Sequence, residues 1–245
     1  MYKIIACNIF RKEIETLMDD ININNHVIFI EQGLHNTPPK MREKLQQVIL
    51  ALEEDSDFLN KYEGIVLLYG LCGNGTLGLK TKKVKLIIPR AHDCMALFLG
   101  SKERYKNIID NNKGVYWYNH AWIDQTPMPS KKQMEISKRD YYEYYDEDNA
   151  EYLYELEVQS LMQYRYGVFI KSPLVDNEPY KDFMLNEVCN EFNWEYKEYE
   201  GNNTVIENIV NSIFKEQEVL ILNPNEEVGL SLDLDILKSK VLQMS

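Results

Sequence analysis

Four cysteines stand at positions 7, 72, 94 and 189 of the 245-residue chain. The first three share a context. Cys7 ends the run Lys3-Ile4-Ile5-Ala6, Cys72 lies just after the apolar run 64–69, and Cys94 just after the run 84–89. Apolar runs of this kind read as strands covered on both faces of a parallel sheet. The carboxyl ends of such strands line one edge, and ligands bind there. Three thiols from three strand ends would therefore converge while far apart in sequence. Converging thiolates suit zinc, or iron in an iron–sulfur cluster. Three protein ligands leave a coordination position open, as catalytic sites do. The alternative for any one thiol is burial as a small hydrophobe. That is the reading for Cys189, which falls mid-helix in Val188-Cys189-Asn190.

Pro89-Arg90-Ala91-His92-Asp93-Cys94 adds reactive types to the third strand end. Arg90 would hold an anionic substrate through its forked donors. His92 would act as general acid/base, or as the fourth ligand of a closed site. Asp93 would orient His92 or cap the helix that follows. Cys94 at a helix start would be more thiolate-like. After the run 64–69, Gly73-Asn74-Gly75-Thr76-Leu77-Gly78 matches G-x-G-x-x-G, with Asp93 at the distance a dinucleotide fingerprint asks. Length excludes that reading. The next strand opens at Val84, six residues after Gly78, where a crossover needs about ten or more. The glycines instead let backbone approach something closely. The amides of Gly73, Asn74 and Gly75 would then donate to cluster sulfides or substrate. A Cys/His hydrolase is the competing chemistry, with Cys72 or Cys94 as nucleophile and His35, His92 or His120 as base. No nucleophile-elbow motif supports it. His26 reads as structural, and His35 and His120 as loop residues exposed to water.

The elements that would position these groups alternate. Strands are expected at 3–7, 26–30, 64–69, 84–89 and 114–118, and again at 167–170, 194–199 and 218–222. Helical periods fall between them at 11–18, 41–59, 95–109, 180–192 and 204–214. The stripe Leu45, Val48, Ile49 and Leu52 marks the buried side of the second helix. Residues 136–166 lack Gly and Pro and read as one long helix or two, with the Tyr/Asp/Glu run 140–148 as a solvated face. This rhythm implies an α/β Rossmann-like layered fold with a mostly parallel sheet and two loosely related α/β halves. The division is expected near residue 130: an N-terminal unit 1–130 with the Cys motifs, and a helical linker with a C-terminal unit over 131–245.

The chain carries a formal net charge of −12, which disfavours a general nucleic-acid binder. No apolar run approaches the roughly 20 residues that span a bilayer. The first residues are too soon polar for a signal peptide. A cytoplasmic protein is expected, with its thiols reduced.

The early Cys7, Tyr69-Gly70-Leu71-Cys72-Gly73-Asn74-Gly75 with Gly78-Leu79, and Arg90-Ala91-His92-Asp93-Cys94 with Leu97-Phe98-Leu99-Gly100-Ser101 and Tyr105 together form a resemblance. The chain resembles the domain-of-unknown-function family 1638 of anaerobic bacteria and methanogenic archaea. The first 125 residues carry the specific motifs. The family's activity is unassigned. Its members are often encoded beside corrinoid-dependent methyltransferases of methylamine metabolism. Thiol-methylating enzymes of such pathways use zinc on an H-x-C element plus a distant Cys, and His92-Asp93-Cys94 with Cys72 or Cys7 has that form. The surrounding sequence does not resemble those barrel enzymes.

The resulting expectation is a [4Fe–4S] cluster on Cys7, Cys72 and Cys94, with an open position for a small anionic or sulfur-containing substrate in anaerobic one-carbon metabolism. The first alternative fills the same site with zinc for methyl transfer to a thiol. The second is a non-catalytic accessory partner of a corrinoid methyltransferase system.

Overall fold

A computed structural model describes residues 1–18, 26–233 and 235–241. The chain divides into two compact units, 1–102 with 202–245, and 103–201.

The first unit is built on a five-stranded sheet. Its strands are β1 (Tyr2–Cys7), β2 (Val27–Ile30), β3 (Gly64–Leu68), β4 (Lys85–Pro89) and, from far downstream, β8 (Val219–Leu222), in the order β2-β1-β3-β4-β8. The first four are parallel, and β8 runs antiparallel to β4. This is the mostly parallel, Rossmann-like sheet expected from the apolar runs. β3 is buried along its whole length, as a central strand covered on both faces must be. Helix α1 (Arg11–Met18) follows β1, and α2 (Pro38–Glu54) and α3 (Ser56–Lys61) connect β2 to β3. Met41, Leu45 and Ile49 of α2 are buried at helical spacing and pack with Ile5, Ile65, Leu67 and Leu86 in one core. The expected single helix over 41–59 is broken at Asp55. Its extended backbone ends α2, and its carboxylate accepts from the Asp57 amide at 2.8 Å to cap α3. Helix α4 (Cys94–Leu99) follows β4 and ends at Gly100 in the left-handed region. The hairpin β9 (Glu226–Leu230) with β10 (Leu237–Val241) follows β8.

The second unit has its own sheet. β5 (Val115–Asn119), β6 (Tyr166–Lys171) and β7 (Glu195–Glu200) lie parallel in sequence order. After α5 (Lys102–Asn111) and β5, the chain forms α6 (His120–Gln125) and the hairpin α7 (Lys131–Tyr144) and α8 (Glu147–Leu161). The Tyr/Asp/Glu run therefore makes two helices, and Asp146 caps the second through the Asn149 amide at 3.1 Å. α9 (Glu178–Phe183) runs into a π-helical stretch, Met184–Cys189, and a last turn, Asn190–Phe192. Helix α10 (Thr204–Val210) returns the chain to the first unit.

The units part at 102 and 202, where the sequence reading placed one division near 130. The reason is pairing. β8 hydrogen-bonds to β4 through Leu86↔Leu222 to Pro89↔Val219, so the last stretch of chain belongs to the first sheet. Among the described residues no helix is long and apolar enough to cross a membrane.

Candidate functional site

The strand order places a specific crevice. From β1 the chain moves outward to β2, and from β3 it moves the opposite way to β4. The reversal lies between β1 and β3, and ligands of open α/β sheets bind outside the carboxyl ends at that point. Cys7 is the last residue of β1 and Tyr69 the first after β3. Both therefore stand at the mouth of the crevice.

Cys7 is half-buried. Burial raises its thiol pKa, opposed by the Ile9 amide and the Tyr69 side chain. The Tyr69 side chain is 4% exposed. Burial first, and then the neighbouring Cys7 and Cys72, raise its phenol pKa. Its hydroxyl interacts with the Cys7 thiol but makes no well-formed hydrogen bond among the described residues. Cys72 is pushed up to about 12, first by burial, then by the negative charges of Asp93 and Cys7, with the Gly70 backbone opposing. The structure thus brings Cys7, Tyr69, Cys72 and Asp93 within electrostatic reach of one another.

Local backbone explains why Cys72 sits where it does. Cys72, Gly73 and Asn74 all have positive φ (47°, 62° and 71°). Gly75 N–H closes the turn on the Cys72 carbonyl at 3.1 Å. Gly and Asn at the two central positions suit such a mirror-image turn. Cys72 itself is a side-chain-bearing residue held in the left-handed region, a conformation that persists only where its surroundings impose it. They do so through the next strand end: the amides of Leu71 and Cys72 donate to the carbonyls of Ala91 and His92 at 2.8 and 2.9 Å. Gly70 is required for that closeness, because a Cβ there would fall 2.8 Å from the Asp93 Cα and N.

The remaining expected site residues divide. Asp93 is the helix cap: its Oδ1 accepts from the Met95 and Ala96 amides at 3.0 and 3.2 Å. Cys94 opens α4 and is half-buried. His92 is exposed, and its carbonyl holds the Cys72 amide. Arg90 is not placed as an anion binder. Its Nε donates to the Glu216 and Val219 carbonyls at 3.0 and 3.2 Å, and its Nη1 to those of Asp235 and Leu237. It fastens the C-terminal strands to the sheet. The Gly75 amide is likewise engaged in its own turn, and the Asn74 carbonyl accepts from Arg42 at 2.9 Å. No helix follows Gly78 before β4, in keeping with the exclusion of a dinucleotide fingerprint.

Two groups, Gln32 and Tyr69, escaped the sequence reading as site residues, and a third, His35, entered it only as a candidate hydrolase base. His35, half-buried after β2, is drawn to the same edge, with its pKa lowered by burial against the pull of Asp93. The Gln32 side-chain amide has both polar atoms buried and unpartnered among the described residues. Tyr69 reads in sequence as the end of a core strand. For His35 and Gln32 a clue was available, since both follow β2 at the edge where Cys7 follows β1. His120 is buried at the start of α6, not a solvated loop residue. His26 is structural as expected, with Nδ1 3.3 Å from the Tyr62 hydroxyl. Cys189 is a core thiol of the second unit. Among the described residues no group of three or more His, Cys, Asp or Glu is gathered closely enough to hold a metal ion.

Thiols raised by burial are neutral at physiological pH. A cysteine nucleophile needs the reverse, a depressed pKa beside a cation. The arrangement therefore argues against Cys72 as the nucleophile of a Cys/His hydrolase. It permits displacement of the thiol protons by a soft cation, which supplies the positive charge that burial withholds.

A family model described as "Protein of unknown function (DUF1638)" matches residues 29–210. The matched span contains Tyr69, Cys72 and Cys94 and begins after Cys7. No curated protein matches the chain, and no solved structure does.

Proposed function

The chain belongs to the DUF1638 family, whose description assigns no activity, and from that premise we propose that the crevice between β1 and β3 holds a soft metal centre. Cys7, Cys72 and Cys94 would be its ligands, and a [4Fe–4S] cluster with one open iron its leading form. The observation that carries the reading is that the half-buried Cys7 and Cys72 thiols lie within electrostatic reach of each other at the switch point of the sheet, beside the Tyr69 hydroxyl. Cys94 opens α4 two residues after His92, whose carbonyl accepts from the Cys72 amide, and the set would be complete if that segment moved its thiol toward Cys7 and Cys72. The bound centre would supply Lewis acidity to a small anionic or sulfur-containing substrate. Tyr69 would hydrogen-bond a ligand sulfur or the substrate, and half-buried His35 would move a proton. An oxygen-sensitive centre fits the anaerobic one-carbon setting that the resemblance implies.

Metal and acid-labile sulfide analysis on protein purified without oxygen tests this. About four iron and four sulfide per chain, with absorption near roughly 400 nm, is the expected result. Loss of that absorption in Cys7→Ser and Cys72→Ser would support the ligand set, and full retention in Cys94→Ser would remove Cys94 from it. About one zinc without colour would replace the cluster with a thiol-activating zinc site. Neither metal, in folded protein with free thiols, would overturn the proposal and favour an accessory partner of a methyltransferase system.

A further inference from the structure

The second unit contains a cavity that the crevice chemistry does not use. Its volume is about 460 Å³, within the size range of small-molecule sites. β5, the segment between α6 and α7, the α7–α8 hairpin and Tyr164 line it, and it is partly open to solvent.

Two tyrosines form adjoining walls. Tyr116 on β5 stacks on Trp194, with centroids 5.6 Å apart and planes at 21°. Tyr164 stands almost upright to Tyr116, at 4.8 Å and 76°. The Tyr118 hydroxyl donates to the Pro129 carbonyl at 2.7 Å and fixes the loop that supplies the proline wall. Burial first, and then Tyr164, push the Tyr116 phenol up to about 12, so its ring stays neutral and electron-rich.

One charged side chain lines this space. Glu157 on α8 accepts from the Ser137 hydroxyl through Oε1 at 3.1 Å. Its Oε2 is buried without a well-formed hydrogen bond among the described residues, while the Tyr141 hydroxyl bears on the same carboxylate. Gln133, Ser160 and Gln163 add neutral polar groups, and no lysine or arginine is among the lining residues. A carboxylate that lines a cavity with no cation to balance it calls for an explanation. A field of this sign repels anions. A single carboxylate is also too few oxygens for a hard metal ion.

We propose that this cavity binds an organic cation bearing an alkylated ammonium group. Two aromatic faces near a right angle attract such a head through their quadrupoles while its alkyl groups fill the apolar walls. Glu157 balances the charge through space. The head needs no N–H donors, which suits an oxygen that water does not reach.

Choline and its uncharged isostere 3,3-dimethylbutan-1-ol separate charge from shape. Titration of the full chain by NMR or calorimetry should show saturable choline binding, with the neutral alcohol about tenfold weaker or more. Glu157→Gln should bring choline down to the affinity of the alcohol. Tyr164→Leu should weaken choline, and Tyr164→Phe, which keeps the ring, should restore it, so a folding defect is distinguished from a lost contact. Equal binding of the two probes would overturn the proposal, as would choline affinity unchanged in Glu157→Gln. Absence of saturable choline binding to the well-folded parent chain would also overturn it.

Discussion

Tyr69 and Cys7 face each other across the reversal point of the first sheet, hydroxyl beside thiol, Cys7 as the last residue of β1 and Tyr69 as the first after β3. β1 and β3 are register-paired through Ala6↔Leu68, so the next residue of each chain segment emerges at the same edge. The pairing is thus a direct product of two apolar runs of matched length. The flanking loops add Cys72 and Asp93, because backbone hydrogen bonds zip the segment after β3 to the segment after β4.

Gly70 is expected to be intolerant of any side chain. Its missing Cβ would collide with Asp93 backbone atoms at 2.8 Å, which have no rotamer by which to move aside. Gly70→Ala should destabilise the first unit by about 1–3 kcal/mol, as overpacking does. It should also release the Leu71 and Cys72 amides to faster hydrogen exchange. Unchanged exchange at those two amides would show that the clasp between the loops does not depend on Gly70.

Arg90 is expected to matter for stability, independently of any ligand. Its side chain is 14% exposed and bonds carbonyls on two separate C-terminal stretches, 216–219 and 235–237. Arg90→Ala would leave those carbonyls short of a charged donor, at a cost on the order of 2–3 kcal/mol. A lowered urea midpoint, with increased exchange over 235–241, is the expected reading. Normal stability would return Arg90 to the role of an anion binder.

These two cases show what was and was not legible. The apolar runs that became β1, β3 and β4 announce buried parallel strands because nothing in them faces water. Their ends predicted the shared edge, where Cys7 bears electrostatically on Cys72. The direction of β8 was not legible, since Val219-Leu220-Ile221-Leu222 reads the same for either orientation. The hairpin β9–β10 was missed because Leu237-Lys238-Ser239-Lys240-Val241 is mostly exposed and carries no continuous apolar run. Arg90 was misread because an arginine at a strand end looks the same whether its partner is a substrate or a distant carbonyl. The partners that decide the matter lie more than a hundred residues away.

Cys189 should report on the second unit through pH. Burial pushes its thiol up to about 11, against about 8.5 for a thiol in the unfolded chain. The folded state therefore holds the proton where the unfolded state has released it. That contribution is fully present below pH ~8.5 and is lost as pH rises toward the folded value. Alkylation should require unfolding. Gly167→Ala should destabilise the unit, since its Cβ would lie 2.8 Å from the Cys189 sulfur. Cys189→Ala should relieve part of that loss in the double variant, a non-additivity that a denaturation cycle measures.

Asp93 separates capping from chemistry. Its Oδ1 holds two amides of the first turn of α4, so Asp93→Ala should cost about 0.5–2 kcal/mol and Asp93→Asn much less. The asparagine variant keeps the cap and removes the charge that bears on Cys72 and His35. Metal retention in Asp93→Asn with loss in Asp93→Ala would mark the residue as structural support. Equal loss in both would assign the charge itself to the site.

Tyr69→Phe is the sharpest test of whether the crevice is built for a ligand. A buried hydroxyl whose contact is a thiol outside good hydrogen-bonding geometry gains little to offset its desolvation relative to the isosteric ring. In metal-free protein the phenylalanine variant should therefore be as stable as the parent or more so, by up to about 1 kcal/mol. A hydroxyl kept at such a cost makes sense only if something bound in the crevice meets it. Loading with iron and sulfide, or with zinc, should reverse the order, leaving the variant with the weaker or more rapidly lost metal. If Tyr69→Phe instead destabilises the metal-free protein by more than about 1 kcal/mol, the hydroxyl already has its partner in Cys7. The crevice would then be core and not a binding site.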